Sequence, residues 1–210
     1  MTFPLESPPA NAQSLRAQAL PRALNLGCGF DHRPGWLNVD GFDACKPDML
    51  IDLEKTPWSL PSNHFESVLL KHVLEHLGAN FGVFRSVIQE LYRVCAPGAR
   101  LDIHVPHHKH DNFWSDPTHV RAFTPLTFKS MSQKVCADWV ARNVGNTMLA
   151  YLLDVDFEVE SMVQHYDPVW WQRVERGELT KEALAHAAQI HWGVVRELHV
   201  CLRVVKPSNR

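Results

Sequence analysis

The residues best placed to do chemistry stand at the ends of short apolar runs. Ala23-Leu-Asn-Leu leads into Gly27-Cys28-Gly29, and glycines at the end of a strand let a ligand approach the backbone where a side chain would block it. Asn38-Val39-Asp40 closes a second run and Ile51-Asp52-Leu53 a third. An acid at the end of the second strand accepts hydrogen bonds from ribose hydroxyls in nucleoside-binding sheets. A fourth run, Ser67 to Leu70, delivers Lys71-His72-Val73-Leu74-Glu75-His76. His72 and His76 flank Glu75, but the order differs from the H-E-x-x-H zinc helix and the segment straddles a strand end, so no metal is expected there.

Five of the 13 histidines, His104, His107, His108, His110 and His119, crowd into one stretch. Imidazoles and carboxylates at this spacing can hold a divalent metal. His107, His110, Asp111 and His119 would then be the ligands. The same groups can bind a polar acceptor or serve as a base, since histidine titrates near neutrality, and they can also be a solvated loop. His76 and His107 are the candidate catalytic bases. The expectation is that chelators leave the activity unchanged.

These side chains need a scaffold, and 210 residues at 24.0 kDa fill one domain. Hydrophobic residues make up 45% and charged residues 21%, which excludes a disordered or fibrous chain. Seven apolar runs have strand length: Ala23 to Leu26, Trp36 to Val39, Met49 to Leu53, Ser67 to Leu70, Leu101 to Val105, Phe157 to Val163 and Leu198 to Val205. A helix is expected over Asn80 to Val94, where Phe84, Val87, Ile88, Leu91 and Val94 share one face and Pro97-Gly98 supplies a stop. A second is expected from Thr180, an N-cap, through Leu184, Ala187, Ala188 and Val195. Strands interleaved with helices argue for a doubly wound α/β sheet, whose ligands bind beyond the carboxyl ends of the strands.

Residues 1–22 are polar and contain four prolines, so a flexible arm is expected, with at most a short helix around Gln13 to Leu20. The five cysteines form no C-x-x-C pair, which suits reduced thiols. With neither a signal sequence nor an apolar run of roughly 18 residues, the expected place is the cytoplasm, away from membranes. The net charge of −2 argues against generic nucleic-acid binding.

Taken in order, Leu24 to Gly29, Gly35 to Asp40, Asp52-Leu53, His72 to His76 and Glu90 to Gly98 resemble the motifs of class I S-adenosylmethionine-dependent methyltransferases, the small bacterial, type 11-like kind. The likeness spans about half the chain. It implies a Rossmann-like doubly wound sheet of seven strands, mostly parallel with a C-terminal antiparallel hairpin, in one methyltransferase domain over 23–210. A helical insertion at about 167–196, carrying Trp170, Trp171 and Trp192, would wall the acceptor pocket or form a homodimer surface.

The resemblance also implies site roles. Gly27 and Gly29 would pass under the methionine and ribose of the cofactor, with Asn25 and Cys28 in the same turn. Asp40 would bind the ribose hydroxyls, Asp52 the adenine amino group, Leu53 the ring, and His72 would border the sulfonium. The family's D-P-x-H-x-R-x-F-T pattern would make Asp116, His119 and Arg121 acceptor-binding. The chain departs from the family in having Asn25 where an acid is common, and in having too short a stretch after Gly29 for the usual first helix. The implied reaction moves a methyl group from S-adenosylmethionine to a small-molecule acceptor, leaving S-adenosylhomocysteine. The rivals are a metal-dependent hydrolase built on the loop 104–119 and a binding module without turnover.

Overall fold

The structure is a computed structural model that describes residues 20–207. Seven strands form one sheet: β1 (Ala23–Leu26), β2 (Leu37–Asp40), β3 (Met49–Leu50), β4 (Phe65–Lys71), β5 (Cys95–Pro106), β6 (Phe157–Tyr166) and β7 (Val195–Val204), in the order β3-β2-β1-β4-β5-β7-β6. The first five run parallel, whereas β7 is antiparallel to both β5 and β6. Leu24 and Leu26 of the central β1 are fully buried. A parallel strand covered on both faces needs such a continuous apolar run, which is why these strands were legible.

Helix α1 (Phe81–Val94) starts at Asn80, whose side chain accepts from the Gly82 amide at 2.7 Å, and it buries Phe84, Val87, Ile88, Leu91 and Val94 against the sheet. The helix ends at Val94, as expected, and Pro97-Gly98 stands just beyond its C-cap Cys95. Strand β5 begins at Cys95, and its pairing with β4 jumps from Phe65↔Cys95 to Ser67↔Arg100, so the two residues sit in a bulge at the foot of the strand. No helix joins β1 to β2. Instead Asn38 Oδ1 accepts from the Arg33 amide at 2.8 Å and from Asn25 Nδ2 at 3.1 Å, tying the short loop down.

After β5 come four short helices, α2 (Asp111–Trp114), α3 (Pro125–Lys129), α4 (Gln133–Ala141) and α5 (Leu149–Leu153). The expected insertion lies between β6 and β7 as α6 (Pro168–Glu175) and α7 (Lys181–Ile190). Thr180 caps α7 by accepting from the Ala183 amide at 3.1 Å, but the helix ends at Ile190 and Val195 belongs to β7. Leu184, Ala187 and Val194 make a small core of their own there. Of the arm expected over residues 1–22, only Leu20, Pro21 and Arg22 are described, and the helix expected around Gln13 lies outside the described residues. No helix among the described residues is long and apolar enough to cross a membrane.

The chain winds outward from β1 to β3, then returns to place β4 on the other side of β1. That reversal opens a crevice at the carboxyl ends of β1, β2 and β4, where open α/β sheets bind ligands.

Candidate active site

A cavity of about 410 Å³ occupies the crevice, and its walls include Gly27, Gly29, Asp40, Asp52, Leu53, His72 and His76. Its volume falls in the usual range for small-molecule sites. A larger cavity of about 900 Å³, among Asn63, Arg93, Asp156 and Lys206, lies at the opposite ends of the parallel strands, because Asn63 precedes β4 and Lys206 follows the antiparallel β7. It lacks the strand-end geometry.

Gly27 adopts φ +64°, and a Cβ there would stand 2.4 Å from Val73 Cγ2. Gly29, at φ +50°, is different: a Cβ would meet nothing within 4 Å and would project into open space. Asp40 is held from both sides. Its Oδ2 accepts from the Gly29 amide and its Oδ1 from the Phe42 amide, each at 2.8 Å. Asp52 is exposed, beside the buried Leu53. Lys55, with Nζ 3.1 Å away, holds its carboxyl below the ordinary range, and the Glu54 amide adds to this.

Two residues expected in the cofactor site do not line the cavity. Asn25 is buried and spends its Nδ2 on the Asp31 carbonyl at 2.9 Å and on Asn38 Oδ1. Cys28 is also buried, and burial, helped by the Asp40 charge, pushes its thiol up to about 12. Both therefore support the turn from below.

His72 stands in the left-handed region at φ 55°, a conformation that costs a non-glycine residue of order 1–3 kcal/mol and persists where surrounding contacts enforce it. Those contacts are acidic. His72 Nε2 meets Glu197 Oε1 at 2.6 Å, and Nδ1 comes to 3.3 Å from Glu75 Oε1. Glu197, then Glu75, raises His72 to about 9, and the His72 bond brings Glu197 down to about 2. Glu197 also meets His199 Nε2 at 2.5 Å, and His199 stacks on His104 with centroids 3.6 Å apart. Glu197 is a site residue that was not expected from the sequence, and Glu75 was given no role of its own between His72 and His76. The available signals were an acid among apolar residues in Val73-Leu74-Glu75 and one leading into the final apolar strand at Glu197-Leu198.

The histidine-rich segment does not act as one group. His107 is buried, accepts from the Lys109 amide at 3.2 Å through Nδ1, and is absent from the cavity wall; burial pushes it down to about 4. His110 caps α2 and pairs with Asp167, the N-cap of α6, at 3.3 Å. Arg121 donates to the Gly78 carbonyl at 2.5 Å and lies over the Phe84 ring, 4.0 Å from its centroid. Asp116 accepts from the Thr118 hydroxyl at 2.6 Å, which in turn meets His76 Nδ1 at 2.8 Å. None of the five lines the cavity, but the His119 ring stands 4.6 Å from that of His76, which does.

No family model matches the sequence, and no curated protein matches it. Solved structures do. A 16S rRNA (adenine(1408)-N(1))-methyltransferase from Catenulisporales acidiphilia is similar with a TM-score of 0.52 and 16% identity, over 97% of this chain and 95% of that one. The [4+2]-cyclase SpnF gives a TM-score of 0.50 at 13% identity, over 94% and 80%. A SAM-dependent methyltransferase from Archaeoglobus fulgidus gives 0.49 at 18%, over 92% of each chain. The first two likenesses establish the fold, a Rossmann-like sheet with an antiparallel end. Their names hold two different reactions, so the reaction has to be argued from the site.

Proposed function

We propose that this chain is a methyltransferase that binds S-adenosylmethionine in the 410 Å³ cavity and passes its methyl group to a small-molecule acceptor. The observation that carries this reading is Asp40, already oriented by the Gly29 and Phe42 amides at the switch point of the sheet. A carboxylate offers about four lone pairs, so two remain for a pair of ribose hydroxyls. Gly29 leaves the space above it open, Leu53 offers an apolar contact to a flat ring, and Asp52 can accept from an exocyclic amine. These groups fit the cofactor.

S-adenosylmethionine brings its own electrophile, a methyl group on a sulfonium. The protein's part is to align the acceptor in line with it and to exclude water. His72 borders this end of the cavity with its charge offset by Glu197, so it need not repel the sulfonium. His76 lines the cavity and stands as the base where the acceptor must lose a proton; His107 is too far down in affinity for protons and too enclosed for that role. His119 and Asp116 flank His76 and belong to the acceptor side, whereas Arg121 braces the turn after it. The insertion is tied to the histidine-rich loop through His110 and through the Gly193 amide on the Lys109 carbonyl at 2.7 Å, and we assign it to the acceptor wall.

The test is methyl transfer itself. Protein incubated with methyl-labelled S-adenosylmethionine and a fractionated small-molecule extract should label one fraction and release S-adenosylhomocysteine. A protein that binds the cofactor yet labels nothing across such fractions, protein and RNA included, would favour the binding module.

A further inference from the structure

Beside the cavity wall, Glu75 is a buried acid without a full complement of partners. Its side chain has no exposed surface, and neither carboxylate oxygen is hydrogen-bonded. His72 Nδ1 approaches Oε1 at 3.3 Å, within ion-pair range but out of hydrogen-bond alignment, and that ring's other nitrogen is taken by Glu197. His72 offsets that charge across 3.3 Å but shares its own with Glu197, and buried carboxylate oxygens that no donor reaches still lack a partner. One ring nitrogen each of His76 and His119 and one oxygen of Glu75 lie within 4.8 Å of one another.

The surrounding hydrogen bonds leave both rings with a lone pair. His119 Nδ1 lies 2.7 Å from the Phe113 carbonyl oxygen, which can only accept, so that nitrogen carries the proton. His76 Nδ1 meets Thr118 Oγ1, whose own proton goes to Asp116, so His76 Nδ1 also donates. The free nitrogen on each ring is then Nε2. Metal-binding histidines are held in this way, with the second N–H fixed on a carbonyl or a carboxylate-linked group. His119 Nε2 is 3.9 Å from Asp116 Oδ2, too far for a hydrogen bond.

We infer that Glu75, His76 and His119 bind a divalent transition-metal ion such as Zn²⁺ at the rim of the cavity. Two imidazoles and a carboxylate suit zinc or iron(II), with positions left open for a further oxygen or nitrogen ligand. Bonds of about 2.0–2.2 Å place tetrahedral ligand atoms roughly 3.4 Å apart, so the side chains need to close by about an ångström. They belong to one packed unit, because the Val120 amide donates to the Glu75 carbonyl at 2.8 Å. This reading departs from the metal-free site expected from the sequence, and it takes up the one lone pair with which His76 would otherwise act as the base, so with the ion bound His76 is a ligand and not a base. It also differs from the grouping of His107, His110, Asp111 and His119, of which only His119 takes part. Cys28, Asp40 and Cys45 form another close group, but the lone pairs that Asp40 has left after the Gly29 and Phe42 amides are the ones assigned above to the ribose hydroxyls.

The experiment is titration of the metal-free full chain with Co²⁺, followed by visible absorption and displacement with Zn²⁺. It uses no cofactor, so its outcome is independent of the methyl-transfer reading. One saturable equivalent without a sulfur-to-cobalt charge-transfer band is expected. Hydrogen-bond partners of ligands typically contribute 10- to 100-fold to affinity, so Thr118→Val should weaken binding roughly tenfold. His76→Ala and His119→Ala should each weaken it by about 100-fold or more. The inference is overturned if saturable binding is absent, or if both histidine variants, folded by circular dichroism, keep the parent affinity. A charge-transfer band abolished by Cys45→Ser would also overturn it, moving the ion to the cysteine pair.

Discussion

The carboxylate of Asp40 rests on the backbone amide of Gly29, 2.8 Å away. The acid at the end of β2 and the glycine turn at the end of β1 are therefore one unit, set before any ligand arrives. Preorganisation of this kind spares the site the ordering cost of binding.

The two glycines should respond differently to alanine. Both have positive φ, which costs an L-residue roughly 1–2 kcal/mol, but only at Gly27 would the new Cβ also strike Val73, at 2.4 Å. For a domain of this size roughly 1 kcal/mol lowers Tm by about 2–4 °C. Gly29→Ala should melt a few degrees low, and Gly27→Ala distinctly lower. Equal melting points would contradict the assignment of Gly27 to packing.

Stability should fall as pH drops from 6.5 towards 4.5. Burial holds His104 and His107 down at about 4 against an ordinary 6.5, so in this window the unfolded chain binds more protons and stability rises with pH. His72, raised to about 9, stays protonated when folded and is half protonated when unfolded at 6.5, so it opposes the slope near 6.5 by less than the two rings add and hardly at all below about 5.5. Glu197, at about 2, contributes only below its ordinary 4.5. Thermal melts across the window should slope, less so in His107→Gln; a flat profile would mean that these rings are not buried neutral.

Asp167→Ala should destabilise the protein without touching the cofactor. The substitution removes an N-cap, worth about 1 kcal/mol. It also leaves His110 Nε2, now 3.3 Å from Asp167 Oδ2, unpaired at a further cost of roughly 1–3 kcal/mol. The melting point should drop while S-adenosylhomocysteine affinity stays at the parent value. A parallel loss of affinity would place the insertion's clasp in the cofactor site.

A net charge of −2 predicts no tight, salt-sensitive binding to generic DNA or RNA. Sub-micromolar affinity that collapsed between low and moderate salt would point to a nucleic-acid acceptor, as in the name of the rRNA methyltransferase with the same fold.

What the sequence disclosed followed from local pattern. Buried parallel strands are apolar throughout, so their ends, and with them Asp40 and His72, could be placed. Pro97-Gly98 marked the end of the helix, but the bulge that it forms at the foot of β5 was not legible, because turn chemistry looks alike in either setting. The histidines were harder, since their partners are remote in the chain: His104 stacks on His199, His110 reaches Asp167, and His119 reaches His76. Proximity in sequence suggested one cluster, and the long-range pairing dispersed it. Glu197 escaped notice, and Glu75 received no role, because an isolated acid in an apolar run acquires meaning only once its partners are known.

Calorimetric titration of the folded protein with S-adenosylhomocysteine, beside Asp40→Ala, tests the central claim most directly. The account predicts one site per chain and an affinity about ten- to hundredfold weaker in the variant, as expected for a charged hydrogen bond worth roughly 1.5–3 kcal/mol. No heat of binding in the parent protein, or an unchanged affinity in a folded Asp40→Ala, would contradict it.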